Sequence, residues 1–132
     1  MMHMTKITVR GYHVDMYQHV NNARYLEFLE EARWQYVESA LDFSELMKKG
    51  MGFVVVNINI NYRIPATIGQ VLEIKSQMAA IRRRSATIHQ EIFLANTETK
   101  VADADVTFVI VDIKTGKSVP MSGEILTWMK KF

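Results

Sequence analysis

FVVVNININ, residues 53–61, has an alternation that decides the fold. Successive side chains of an extended chain point to opposite faces, so Val54, Val56, Ile58, Ile60 and then Tyr62 share one side. Val55, Asn57, Asn59 and Asn61 take the other. The same period of two returns downstream. Leu72, Ile74, Met78 and Ala80 line one face of a following strand. Ala86, Ile88, Ile92 and Leu94 do so in the next, with Thr87, His89 and Glu91 turned away. In the last, Ala102, Ala104, Val106, Phe108 and Ile110 oppose Asp103, Asp105 and Thr107. Near the start, residues 6–14, KITVRGYHV, read as a further strand. The 96–100 stretch suits a hairpin loop, and KTGK at 114–117 suits a turn. Strands apolar on one side only belong to an antiparallel sheet with one covered face, because parallel strands are buried on both.

The cover for that face lies upstream, where the period changes to 3.6. From Asn21 or Asn22, either of which suits a helix start, Tyr25, Leu26, Leu29, Ala32, Tyr36, Val37 and Ala40 share a face through residue 40. Glu27, Glu31 and Glu38 fall opposite. Such a helix is roughly 28 Å long and spans several strands. A short helix is read over Phe43 to Lys49, ending at Gly50, and a terminal helical pattern over Glu124 to Phe132 suits core packing. The expectation is an α+β chain, a single domain over residues 1–132, in which one long central helix is wrapped by a curved five- or six-stranded antiparallel sheet.

Composition narrows the function classes. At 132 residues with 48% hydrophobic and 23% charged residues, the chain is an ordinary globular one with room for one core. It contains no cysteine, which excludes disulfides, thiolate metal sites and cysteine nucleophiles. A formal charge of +2 is small for a nucleic-acid binder. The longest apolar runs, at 53–56 and 108–111, are far below the ~20 residues of a membrane span, and the start lacks a signal-peptide pattern. Neither a Gly-x-Ser-x-Gly elbow nor a phosphate-binding glycine loop is present.

The chemistry concentrates in residues 12–33, YHVDMYQHVNNARYLEFLEEAR. Asp15 stands alone as a carboxylate shortly before a helix start. Free N–H groups there, with the helix dipole behind them, stabilise negative charge on a nearby oxygen, and a carboxylate close by attacks a carbonyl or activates water. That pairing suits acyl transfer. The plain alternative is that Asp15 is a turn former.

The run D-M-Y-Q-H-V-N-N-A-R-Y with the following E-E-A-R resembles the hotdog-fold thioesterases of the 4-hydroxybenzoyl-CoA thioesterase type. More narrowly, residues 9–34 and 53–66 look like bacterial long-chain acyl-CoA thioesterases linked to fatty-acid β-oxidation. From about residue 67 onward the agreement lies mainly in strand pattern. The resemblance implies Asp15 as nucleophile or general base and the backbone amide of Asn22 as the donor that polarises the thioester carbonyl. It places Tyr17, His19, Asn21, Ala23, Tyr25, Phe53, Val54 and Val55 against the substrate. Arg63 with Arg82, Arg83 and Arg84 is the candidate set for coenzyme A phosphates, against the alternative of solvated charge. No metal or organic cofactor is implied beyond the coenzyme A of the substrate, and a cytoplasmic homodimer or dimer-of-dimers tetramer is expected, with the acyl group in a tunnel between subunits. Two departures stand out: many relatives carry an acidic residue where this chain has His13 and a glycine where it has Gln18. The long-chain group shares both, which turns the reading away from aromatic substrates.

Other readings fit parts of the same pattern. His13, Asp15 and His19 contain the donor types of a metal site. His19 with Glu31 could be cast as the acid–base pair of a dehydratase, although Glu31 shares a solvated acidic face with Glu27. A thioesterase for aromatic or short branched acyl groups keeps the chemistry, and a non-catalytic acyl-CoA or acyl-carrier binding module drops it.

Overall fold

The structure, a computed structural model, describes all residues from Met1 to Phe132. Five strands, β1 (Met2–Thr8), β2 (Met51–Tyr62), β3 (Val71–Ile81), β4 (Ala86–Leu94) and β5 (Lys100–Asp112), form one antiparallel sheet in the order β1-β3-β4-β5-β2. The long helix α1 (Asn22–Ala40) covers its inner face, the short α2 (Phe43–Lys48) lies against β2, and α3 (Gly123–Met129) closes the end near Tyr36. The expected α+β hotdog architecture is therefore present, with five strands.

The α1 stripe differs from the expectation by one residue. Tyr25, Phe28, Leu29, Ala32 and Tyr36 are buried, while Leu26 is exposed. On a helical wheel Phe28 lies about 60° from Tyr25 and Leu26 about 100°, so Phe28 falls nearer the centre of the stripe. Under the first half of α1 sit Leu72, Ile74, Ile92, Ala102, Ala104 and Val106. Under its end, Tyr36 packs with Ile88, Phe108, Ile110 and the α3 side chains Ile125 and Met129.

Three strand expectations change. The first strand starts earlier, at Met2, and stops at Thr8, and Gly11–His13 form a single 3-10 turn. In β2 the register shifts between Val55 and Asn57, leaving Val56 as the extra residue of a bulge. One inserted residue exchanges the two faces. Phe53 and Val55 therefore point inward before the bulge and Ile58, Ile60 and Tyr62 after it, whereas Val54 opposes Val109 on the outer face. A second shift between Met78 and Ala80 sets Ala80 opposite Thr87 on the outer face.

That second bulge is pinned by Tyr36, whose hydroxyl accepts from Met78 N at 2.9 Å and donates to the Met1 carbonyl at 2.8 Å. Burial raises the pKa of Tyr36, so it stays a neutral donor at ordinary pH. Tyr36→Phe leaves both backbone groups without this partner and is expected to cost roughly 1–3 kcal/mol, read as a lower urea midpoint. An unchanged midpoint would show that the hydroxyl does not support the bulge.

Candidate active site

Asp15 opens a tight turn between a bridge pairing Val14 with Val20 and the helix start. Its Oδ1 accepts from the amides of Tyr17 at 2.9 Å and His19 at 3.4 Å. Its own N–H donates to the His19 carbonyl at 2.8 Å, and Gln18 takes a left-handed conformation with φ 64° to complete the turn. The turn-forming reading is thus correct for Oδ1. Oδ2 has no protein hydrogen bond and is left for a ligand or water.

The first turn of α1 disposes of its orphan donors unevenly. A helix start leaves its first N–H groups without intrahelical partners. Here Asn21 N donates to the His13 carbonyl at 2.9 Å, and Asn21 caps the helix by accepting from Ala23 N at 2.9 Å. Arg24 N reaches the Asn21 carbonyl at 2.8 Å. The amide of Asn22 alone among these four has no acceptor. It stands at the positive end of a 19-residue helix, where negative charge on an oxygen is stabilised.

Asp15, His19, Asn22 and Tyr25 line one cleft of about 220 Å³, and Tyr62 and Arg63 close it from the end of β2. Tyr25 is buried, and its oxygen accepts from Ala66 N at 3.2 Å. Burial pushes its pKa up, so the phenol keeps its proton. Tyr62 donates to the Asn22 carbonyl at 3.3 Å, and its ring lies 5.6 Å from that of Tyr25. Tyr62, which periodicity assigns only to a strand face, lines the cleft with Val20, Ile64 and Pro65, none of which carries a sequence signal for it.

The remaining candidates separate. Tyr17 supplies an amide to Asp15 while its side chain is exposed. The amide of Ala23 is spent on the cap. Phe53 and Val55 line a second cavity, of about 210 Å³, beneath the later half of α1, and outward-facing Val54 does not. Arg63 reaches the cleft, but its Nε is paired with Asp103, which depresses the Asp103 pKa through a hydrogen bond that Asn61 reinforces. Arg82, Arg83 and Arg84 lie in the β3–β4 turn; Arg82 bonds Thr87 and Arg84 the Ser118 carbonyl. Through the register Ile81, Ala86, Phe108, Val55, that turn is at the Phe53 end of β2, opposite the Asp15 end. Within one chain, then, the catalytic candidates and the Phe53, Val55 and Arg82–Arg84 candidates do not meet.

His13 departs most from its sequence-based placement at a strand end. It is buried, its Nδ1 accepts from Arg10 N at 2.9 Å, and its ring meets Phe28 edge-on at 4.8 Å. Burial, and then the nearby Arg24 charge, lower its pKa, so it is a neutral structural imidazole. It lines a different cavity from Asp15 and His19, and no group of three His, Asp or Glu side chains is placed to hold a metal ion. Glu31 borders that same separate cavity, so His19 and Glu31 do not form an acid–base pair within the chain.

The sequence matches the thioesterase-like superfamily over residues 9–129. It is 51% identical over 121 residues to the long-chain acyl-CoA thioesterase FadM of Escherichia coli (strain K12), covering 92% of each chain. The crystal structure of YbaW, a probable thioesterase from Escherichia coli, superposes with a TM-score of 0.91 at 48% identity, over 97% of this chain and 96% of that one. A Staphylococcus aureus protein solved in complex with CoA superposes with a TM-score of 0.88 at 13% identity, over 98% and 82% of the two chains, a likeness of fold alone.

Proposed function

The chain belongs to the thioesterase-like superfamily, and from that premise we propose that it is an acyl-CoA thioesterase, hydrolysing long-chain and, less efficiently, medium-chain acyl-CoA to free acid and coenzyme A. The observation that carries the reading is one cleft holding a carboxylate oxygen without a partner, Asp15 Oδ2, and an amide without an acceptor, Asn22 N–H. The family and the 51% identity to FadM supply the substrate class.

In the mechanism these groups support, the thioester carbonyl accepts from Asn22 N–H, which stabilises the oxyanion of the tetrahedral intermediate. Asp15 then acts in one of two ways. As nucleophile it attacks the carbonyl carbon, the C–S bond breaks, coenzyme A leaves as thiolate and takes a proton, and water hydrolyses the acyl anhydride. As general base it takes a proton from a water that attacks directly. Tyr25, with its oxygen already accepting from Ala66, has its own proton available in the same cleft. Neither route calls on a metal or an organic cofactor, and a cysteine-free chain fits the reducing cytoplasm in which this reading sets it.

A second copy of the chain completes the site. β2 is an edge strand of 12 residues with its outer backbone unpaired and Val54, Val55, Val56, Ile58 and Tyr62 exposed. Long apolar edges of this kind call for a partner strand. Two copies joined edge to edge about a two-fold axis run antiparallel, setting the Tyr62 end of one β2 beside the Phe53 end of the other. The Asp15 cleft of one protomer then faces the apolar cavity and the Arg82–Arg84 turn of its partner. That brings together the residues one chain keeps apart, with the acyl chain in the cavity and the arginines near the coenzyme A phosphates. A dimer, or a dimer of such dimers, follows.

Free-thiol release from palmitoyl-CoA, octanoyl-CoA and benzoyl-CoA tests the reading, with mass measured in solution alongside. The expected order of kcat/KM is palmitoyl, octanoyl, benzoyl, from a dimer or tetramer. Preference for benzoyl-CoA would transfer the assignment to aromatic substrates. Binding of all three without thiol release would leave a non-catalytic binding module.

A further inference from the structure

The cavity beneath the later half of α1 is apolar along most of its wall, where Trp34, Val37, Phe53, Ile88 and Phe108 meet. Glu30 and Arg33 break that wall. Arg33 is partly buried, and its Nη1 donates to Gln90 Oε1 at 3.0 Å. Gln90 in turn is fully buried in the apolar register between Ile88 and Ile92. Its amide nitrogen is committed to the Leu29 carbonyl at 3.0 Å and Ser76 Oγ at 2.9 Å. Those two bonds fix which end of the amide faces Arg33, so the guanidinium is held by a buried anchor rather than left to swing.

What Arg33 lacks is an anion in direct contact. A guanidinium carries five N–H donors, and only one bond is formed, to a neutral amide. Glu30, three residues earlier, borders the same cavity and acts on Arg33 through its charge without forming an ion pair with it. Removing such a group from water without partners is costly, and an acceptor supplied by a ligand recovers much of that cost.

We propose that Arg33 is an acyl-specificity residue: the cavity takes an acyl chain bearing a hydrogen-bond-accepting oxygen, as a hydroxyl, oxo or terminal carboxyl group, which Arg33 binds. This rests on the thioesterase reading and on the cavity as the acyl site. A hydrogen bond to a charged donor is worth roughly ten- to a hundredfold in discrimination. An acyl chain without such an oxygen leaves the guanidinium partly buried with Gln90 as its one hydrogen-bond partner.

The test compares kcat/KM of the full-length protein for palmitoyl-CoA, its 3-hydroxy, 12-hydroxy and 16-hydroxy derivatives, and the mono-CoA thioester of hexadecanedioic acid. Wild type is expected to favour one or more of the oxygenated thioesters over palmitoyl-CoA by roughly tenfold or more. In Arg33→Met that ratio falls to about one, and in Arg33→Lys, which keeps the charge without the planar fork, it is intermediate. Arg33→Lys serves alone if the methionine variant does not fold, since a ratio equal to that of wild type would then contradict the proposal. A binding arm uses isothermal titration calorimetry on Asp15→Asn, and the same preference is expected in affinity. Hydrolysis of palmitoyl-CoA with no oxygen preference overturns the role of Arg33 and leaves the thioesterase reading standing. Binding preference without thiol release from wild type does the reverse. A preference that survives Arg33→Met also overturns the proposal.

Discussion

Asp15→Asn is expected to lower kcat for palmitoyl-CoA by roughly 10² to 10⁴ with little change in thermal stability. The asparagine keeps an Oδ1 that accepts from Tyr17 N and His19 N, so the turn between Val14 and Val20 survives. What is lost is the second carboxylate oxygen, which attacks the carbonyl or deprotonates water in the two routes above. Because neither act occurs in the ground state, kcat and kcat/KM should fall together. Activity within a few-fold of wild type would confine Asp15 to turn formation. Asp15→Ala is the poorer experiment, since it removes the turn bonds along with the reactive oxygen.

Asn22→Pro is expected to lower kcat by about 10² to 10³, again with the fold intact. Asn22 is the first residue of α1, the helical position where proline is best tolerated because its missing N–H has no intrahelical acceptor. The preceding Asn21 has φ −62° and ψ 137°, the extended conformation that a following proline favours. The substitution deletes the donor and sets the ring Cδ where the N–H pointed, while the helix start is kept and the Asn22 carbonyl remains to accept from Tyr62. Asn22→Ala, which keeps the N–H, should stay close to wild type. Equal activity in the proline and alanine variants would remove the amide from the mechanism.

The helix and its start were legible because two asparagines precede an apolar stripe of period 3.6, and Asn21 does cap the helix through its side chain. The strands were legible in number and direction because each buries one face. Faces within β2 were not, since a bulge at Val56 leaves composition untouched while exchanging inside and outside. His13 was misplaced because a short 3-10 turn has no period to read, and its burial depends on Phe28, whose ring meets it from another element. Gln90 and Arg33 were missed for a related reason. A polar residue in an apolar register looks like an interruption until the partners that satisfy it, Ser76 and the Leu29 carbonyl, are seen from distant parts of the chain.

Asp15 as a candidate was legible from its position before a helix start, but the division of labour between its two oxygens was not. Nor does the sequence of one chain show that Phe53 and Val55 sit at the far end of β2 from Asp15. That separation is what makes the unpaired β2 edge informative.

The most direct measurement is a crystal structure of Asp15→Asn with palmitoyl-CoA bound. The account predicts the thioester carbonyl oxygen within hydrogen-bond distance of Asn22 N, the carbonyl carbon against the residue 15 side chain, and the acyl chain crossing the β2 edge into the partner's apolar cavity. A carbonyl seated away from Asn22 N, with the thioester carbon out of reach of residue 15, would contradict it.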